Sequence, residues 1–96
     1  MVKLSAAAAH DIEDLLDRSI AEFGIQQTEN YYDSLTRCLA LLGENPELGY
    51  AVDDIRSGYR RFPHESHVIF YTLEQSDVFV VRILHKRMDA VRNIQE

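Results

Sequence analysis

The chain has no tryptophan, one cysteine, two prolines and four glycines in 96 residues, and its ten lysines and arginines are outnumbered by sixteen acids. Each shortage excludes something. A single cysteine, Cys38, makes no internal disulfide, so nothing ties the chain to an oxidising compartment. It reads as a small buried hydrophobe on a helix. No apolar run approaches the roughly 20 residues that cross a bilayer, and no basic, apolar leader opens the sequence. A cytoplasmic protein without a membrane anchor is the expectation. The shortage of positive charge leaves a net charge of −6, whereas nucleic-acid binders draw nonspecific affinity from neutralising phosphates. Direct nucleic-acid binding and a polyanionic substrate are therefore disfavoured. Glycine, proline and low-complexity tracts are too sparse for a linker, so residues 1–96, of which 46% are hydrophobic, suit one domain.

What charge there is lies unevenly. Residues 1–54 carry three cations against eleven acids, a balance of −8, and residues 55–96 carry seven against five, a balance of +2. The positive half is also the half with strand character. From Arg56 to Phe62 runs a first apolar and aromatic stretch that stops at Pro63, which has no N–H for a sheet ladder. His64, Glu65 and Ser66 make a turn. His67 to Leu73 is almost wholly apolar, as in a strand covered on both faces. After the turn from Glu74 to Asp77, Val78 to His85 forms a third strand. Alternation puts Phe79, Val81 and Ile83 on one face and Val80, Arg82 and Leu84 on the other, so Arg82 interrupts an apolar face.

The acidic half reads as helical. Val2, Lys3 and Leu4 form a short opening strand, and Ser5 stands where an N-cap belongs, without the reciprocal acid of a capping box because Ala8 holds its place. Ala9, Ile12, Leu15, Leu16, Ile20 and Phe23 then recur at helical spacing. Gly24 ends that helix. A second helix starts between Gln26 and Thr28 and runs to Leu42, with Tyr31, Leu35, Cys38 and Leu42 on one stripe, Tyr32 and Leu39 beside it, and Gly43 and Asn45-Pro46 as its stop. So short a connection predicts an antiparallel helical hairpin. Leu48 to Asp54 reads as a polar loop, and residues 86–96 as a short tail with a helical turn or two carrying Met88, Val91 and Ile94. Helices followed by strands predict an α+β fold, with the hairpin packed on an antiparallel sheet and the opening strand at its edge.

Arg82 is the leading candidate site residue, because a guanidinium on an apolar face needs a partner: a helix carboxylate of its own chain or a group on another molecule. Arg60 and Arg61 point to opposite faces, so at most one can join it. His67 and His85 sit at strand ends. His10 and Asp14 lie one helical turn apart, but two ligands make no metal site, and a solvated helix face accounts for them. No metal or cofactor is expected.

The helical hairpin, then Gly58-Tyr59-Arg60-Arg61-Phe62, Ser66-His67-Val68-Ile69-Phe70-Tyr71, and Val81-Arg82-Ile83-Leu84-His85-Lys86-Arg87-Met88-Asp89 in that order resemble the ParE toxins of bacterial type II toxin-antitoxin modules. The resemblance spans essentially the whole chain. It implies a RelE-like fold, a ParD-like antitoxin as partner, and DNA gyrase as target. Antitoxin- or target-binding residues are then expected among Arg60, Arg61, Arg82, His85, Lys86, Arg87 and Met88, with none catalytic. The same fold group holds ribosome-dependent mRNA endonucleases, whose central strand presents a catalytic arginine and whose C-terminal end carries a tyrosine. Here Val68 occupies the former place, and Lys86-Arg87-Met88-Asp89 follow His85 with no tyrosine.

Overall fold

The computed structural model describes residues 1–94, so Gln95 and Glu96 of the expected tail lie outside the described residues. Its elements are β1 (Val2–Leu4), α1 (Ala6–Glu44), β2 (Tyr50–Ala51), β3 (Arg60–His64), β4 (His67–Glu74), β5 (Asp77–His85) and α2 (Ala90–Ile94). Ser5 caps α1 as expected: its hydroxyl accepts the Ala8 N–H (2.9 Å) and donates to the Val81 carbonyl (2.7 Å), fastening the helix start to the sheet. Gly24 breaks α1 into two arms, residues 6–23 and 25–44, at φ 87° and ψ 172°. Only glycine adopts that backbone region readily. Beyond the break the buried Thr28 hydroxyl donates to the Gly24 carbonyl (2.8 Å) and lies 2.8 Å from the Ser19 hydroxyl on the opposite arm. The second arm returns to the strand from which the first departed. A Cβ on Gly43 would stand 2.6 Å from Val2 Cγ2, so a larger residue there would push β1 aside.

The five strands are ordered β1-β5-β4-β3-β2. The sheet is not wholly antiparallel, as the sequence pattern suggested, because β1 runs parallel to β5 and pairs Val2 with Val78 and Leu4 with Val80. Parallel neighbours need a long crossover, and the chain between these strands supplies one. The segment read as a polar loop contains β2, which pairs Tyr50 with Arg61 and Ala51 with Arg60. Conversely, β3 begins four residues later than expected, since turns hold the chain before it: Gly58 N–H donates to Asp53 Oδ1 (2.8 Å) and Ile55 N–H to the Val52 carbonyl (2.9 Å). It also continues through Pro63 to His64. Proline is tolerated there because β2 covers only Arg60 and Arg61 and leaves that edge open.

The alternation expected along β5 fails at Val81. Phe70 pairs with Arg82 and Tyr71 with Val80, so Val81 is the extra residue of a bulge. Past it the faces exchange. Ile83 joins Val78 and Val80 against the hairpin, while Leu84 joins Val81 on the opposite face. The hairpin-facing core holds Ala8, Leu15, Leu35, Cys38 and Leu42 over Ile69 and Tyr71, and burial pushes the Cys38 thiol pKa up. The opposite face buries Val68, Phe70 and Leu84 beneath Val52 of the loop and Ile94 of α2. Apolar periodicity overstates what the hairpin buries: Ile20, Phe23 and Tyr32 are exposed. No helix among the described residues is long and apolar enough to cross a membrane.

Candidate functional site

A cleft of about 720 Å³ opens between the hairpin and the end of the sheet where β4 starts and β5 finishes. Asp11, Asp14, Leu15, Arg18 and Glu22 line it from one stripe of the first arm, and Tyr31 from the second. Glu65, Ser66 and His67 close it at the β3–β4 turn, and Arg82, Ile83, His85, Arg87 and Met88 at the end of β5. Four of the residues singled out in the sequence, Arg82, His85, Arg87 and Met88, therefore meet in one place.

At the centre of the cleft Arg82 forms a bidentate ion pair with Asp11, Nε to Oδ2 at 2.8 Å and Nη2 to Oδ1 at 2.8 Å. The Asp11 side chain is 11% exposed and that of Arg82 24%. Asp11 Oδ2 also accepts the Ile83 N–H at 2.9 Å, serving an amide just past the bulge, where β1 no longer flanks β5. The partner anticipated for Arg82 is thus a helix carboxylate of its own chain. Both groups are desolvated, and their two parallel bonds offset part of that cost.

Beside this pair stand two histidines at one end of the β4–β5 ladder. His67 faces His85 in register, with ring centroids 5.5 Å apart at 80°. The Tyr31 hydroxyl lies 2.7 Å from His67 Nδ1. Burial, then the charge of Glu65, pushes the Tyr31 phenol up to about 12. Burial, then His85 and His64, pushes the His67 imidazole down, against a smaller upward pull from Asp11. A protonated phenol and a neutral imidazole fit two arrangements: Tyr31 donates to Nδ1 and His67 carries its proton on Nε2, or Nδ1–H donates to Tyr31 and the phenol donates to the His64 carbonyl at 3.5 Å. Ser34 holds His64 in a similar way. Its hydroxyl donates to Glu65 Oε2 (3.1 Å) and so accepts from His64 Nε2 (2.9 Å).

Arg60, Arg61 and Lys86 lie outside the cleft, whereas His10 lines it beside Asp14. Arg60 Nη2 donates to the Gly49 carbonyl (2.5 Å) and the Glu47 carbonyl (3.3 Å) and so braces the loop before β2. The Tyr71 hydroxyl braces the same loop, accepting the Gly49 N–H (2.8 Å) and donating to the Pro46 carbonyl (2.7 Å). Arg61 lies over the rings of Tyr50 and Phe70, at 5.9 and 5.7 Å. Neither arginine lines the cleft. Lys86 is exposed beyond β5, its backbone N–H bonded to the Ser66 carbonyl at 2.8 Å. His10 lies on an exposed helix face, 3.4 Å from Asp14, and no metal-binding group of three or more His, Cys, Asp or Glu occurs among the described residues.

Sequence reasoning missed Tyr31 as a polar member of the site, placing it with Tyr32 in the core. Its helical stripe was the available signal, but the direction of its hydroxyl depends on how the hairpin crosses the sheet. Glu65 and Asp11 were missed for a similar reason, since charge pattern alone does not say which carboxylates turn inward.

The family described as the ParE toxin of the type II toxin-antitoxin system parDE matches residues 2–90. Toxin ParE1 of Mycobacterium tuberculosis (strain H37Rv) is 38% identical over 92 residues, covering 95% of this chain and 94% of that protein. Toxin ParE1 of Caulobacter vibrioides is 33% identical over 88 residues, covering 92% and 91%. The solved structure of a chromosomal ParDE toxin-antitoxin system from P. aeruginosa superposes with a TM-score of 0.76 at 16% identity, covering 88% of this chain and 92% of that one. That likeness identifies the α+β arrangement of hairpin and sheet as RelE-like. With the family match and the two ParE1 relatives each spanning nearly the full chain, this protein belongs to the ParE toxin family of type II toxin-antitoxin systems.

Proposed function

We propose that the chain, acting as one domain in the cytoplasm, is the toxin of such a module, that a ParD-like antitoxin neutralises it, and that it stops growth by binding DNA gyrase rather than by cutting RNA. The observation that carries the choice against cutting is the Asp11–Arg82 pair. In-line cleavage of RNA needs a base, an acid and a cation for the charge that develops on phosphorus. The guanidinium nearest the heart of the cleft already answers a carboxylate, with both nitrogens at 2.8 Å. Around it Asp11, Asp14, Glu22 and Glu65 outnumber Arg18, Arg82 and Arg87, so an RNA backbone would meet repulsion. One observation favours the alternative, a ribosome-dependent mRNA endonuclease: His67 and His85 stand side by side in the cleft, ring centroids 5.5 Å apart, where two imidazoles could serve one phosphate as base and acid.

The cleft suits an antitoxin segment better. Phe23 and Met88 offer exposed apolar contact, and Asp14, Glu22 and Glu65 offer carboxylates to lysines or arginines on an amphipathic helix laid in the groove. The exposed Lys86, Arg87 and Met88 are then the surface offered to gyrase. Truncation after His85 is a poor test of that surface, because it also removes Ile94 from the core. Arg87→Ala and His85→Ala separate the readings. Binding to gyrase predicts that Arg87→Ala weakens growth inhibition at least about tenfold, the loss of one charge contact of roughly 1.4 kcal/mol. His85→Ala then changes it little. An endonuclease predicts that His85→Ala alone lowers mRNA cleavage about a hundredfold or more.

A further inference from the structure

We propose that Asp11 positions the C-terminal segment from a distance, through Arg82. The guanidinium of Arg82 is planar, and Asp11 occupies its Nε and Nη2, so the direction of the remaining Nη1 is set by the helix carboxylate. Nη1 donates to the Asn93 carbonyl at 2.9 Å. That carbonyl lies in the last turn of α2, where oxygens lack partners within the helix and a cation is favourable. Asp11 is itself held by the Ile83 N–H at 2.9 Å. One carboxylate on the hairpin thus fixes the strand past its bulge and, through the strand's arginine, the last turn of α2.

The segment needs such a clamp. Five residues are too few for a helix to persist alone, and only Ile94 of α2 is buried. Before α2, Lys86 N–H is anchored on the Ser66 carbonyl at 2.8 Å. Residues 87–92 therefore span two fixed points, and the second depends on Asp11. Arg87 and Met88 are already tied to the strand end, Met88 N–H to the His85 carbonyl at 2.8 Å and Arg87 N–H to His85 Nδ1 at 3.2 Å, and the bond from Arg82 sets the presentation of the segment beyond them. The importance of that presentation for toxicity rests on the gyrase-binding reading above. The clamp itself does not.

The test is amide hydrogen exchange on the intact chain, comparing wild type with Asp11→Asn and Arg82→Lys. Asparagine keeps the size of Asp11 but not its charge. Lysine keeps the charge facing Asp11 but has no rigid fork to span Asp11 and Asn93 together. The Asn93 amide, which bonds to the Asp89 carbonyl at 3.2 Å, should exchange at least tenfold faster in both variants, while β4 amides stay as in wild type. Asn93 exchange within twofold of wild type in Arg82→Lys overturns the proposal, even if Asp11→Asn fails to fold. Equal acceleration in β4 also overturns it, because it makes the pair merely structural. Growth inhibition separates the two readings. A loosened α2 with antitoxin affinity kept and toxicity lost agrees with both. A loosened α2 with full toxicity keeps the clamp and removes the tail from the mechanism.

Discussion

Burial sets the protonation of both Tyr31 and His67, and the consequence is measurable. His67 sits below the ordinary imidazole value of 6.5, chiefly through burial. As pH falls below about 6.5, the unfolded chain takes up more protons at this site than the folded one does. The stability it contributes is complete above that pH and declines with acidification, until the pH passes the folded value. The charged and titratable groups around it, Glu65, Asp11, His64 and His85, shape the slope but not its sign, which burial decides. His67→Gln should flatten the fall in thermal midpoint expected of the wild type between about pH 7 and pH 5. Parallel curves for the two proteins would show that His67 is not the group responsible. Tyr31→Phe removes the hydroxyl bonded to Nδ1 and should cost about 1 kcal/mol in denaturant unfolding. At this scale the sequence was least informative. Arg82 stood out as a charge on an apolar face, yet its true neighbour, Asp11, is one of eleven acids in the first 54 residues, and nothing in the spacing distinguishes it.

At the scale of elements the break at Gly24 turns one long helical pattern into a hairpin. Nothing lies within 4 Å of where a Cβ would stand, so Gly24→Ala meets no clash and only the backbone resists it. At φ 87° and ψ 172° that resistance is about 1–3 kcal/mol. Urea unfolding should show a loss in this range, and an unchanged midpoint would mean the turn relaxes freely. The arms, the meander and Ser5 as N-cap were legible because periodicity and capping are local. Two features were not. Register slips are set by pairing between strands, so Val81 as a bulge and the exchange of faces at Ile83 and Leu84 leave no mark in β5 itself. Likewise β2 is two residues long and forms only because Arg60 and Tyr71 hold the preceding loop against β3.

For the whole molecule, the charge division follows the fold. The acidic half forms the hairpin, and the cationic half ends at Lys86 and Arg87 beside the cleft. A partner that binds only the folded chain adds RT ln(1 + [L]/Kd), about 4 kcal/mol at a thousandfold excess over Kd. Saturating ParD-like antitoxin should therefore raise the thermal midpoint, and equal midpoints with and without it would argue that the cleft is not its docking place. Binding to gyrase is the mode of action proposed for this ParE-family protein. It is tested most directly by adding the purified protein to gyrase, supercoiled DNA and ATP, and measuring cleaved DNA trapped on the enzyme. The account predicts that cleaved complexes accumulate with toxin concentration and disappear when antitoxin is added first. No change in gyrase cleavage or supercoiling at toxin concentrations that cut mRNA on translating ribosomes would contradict it.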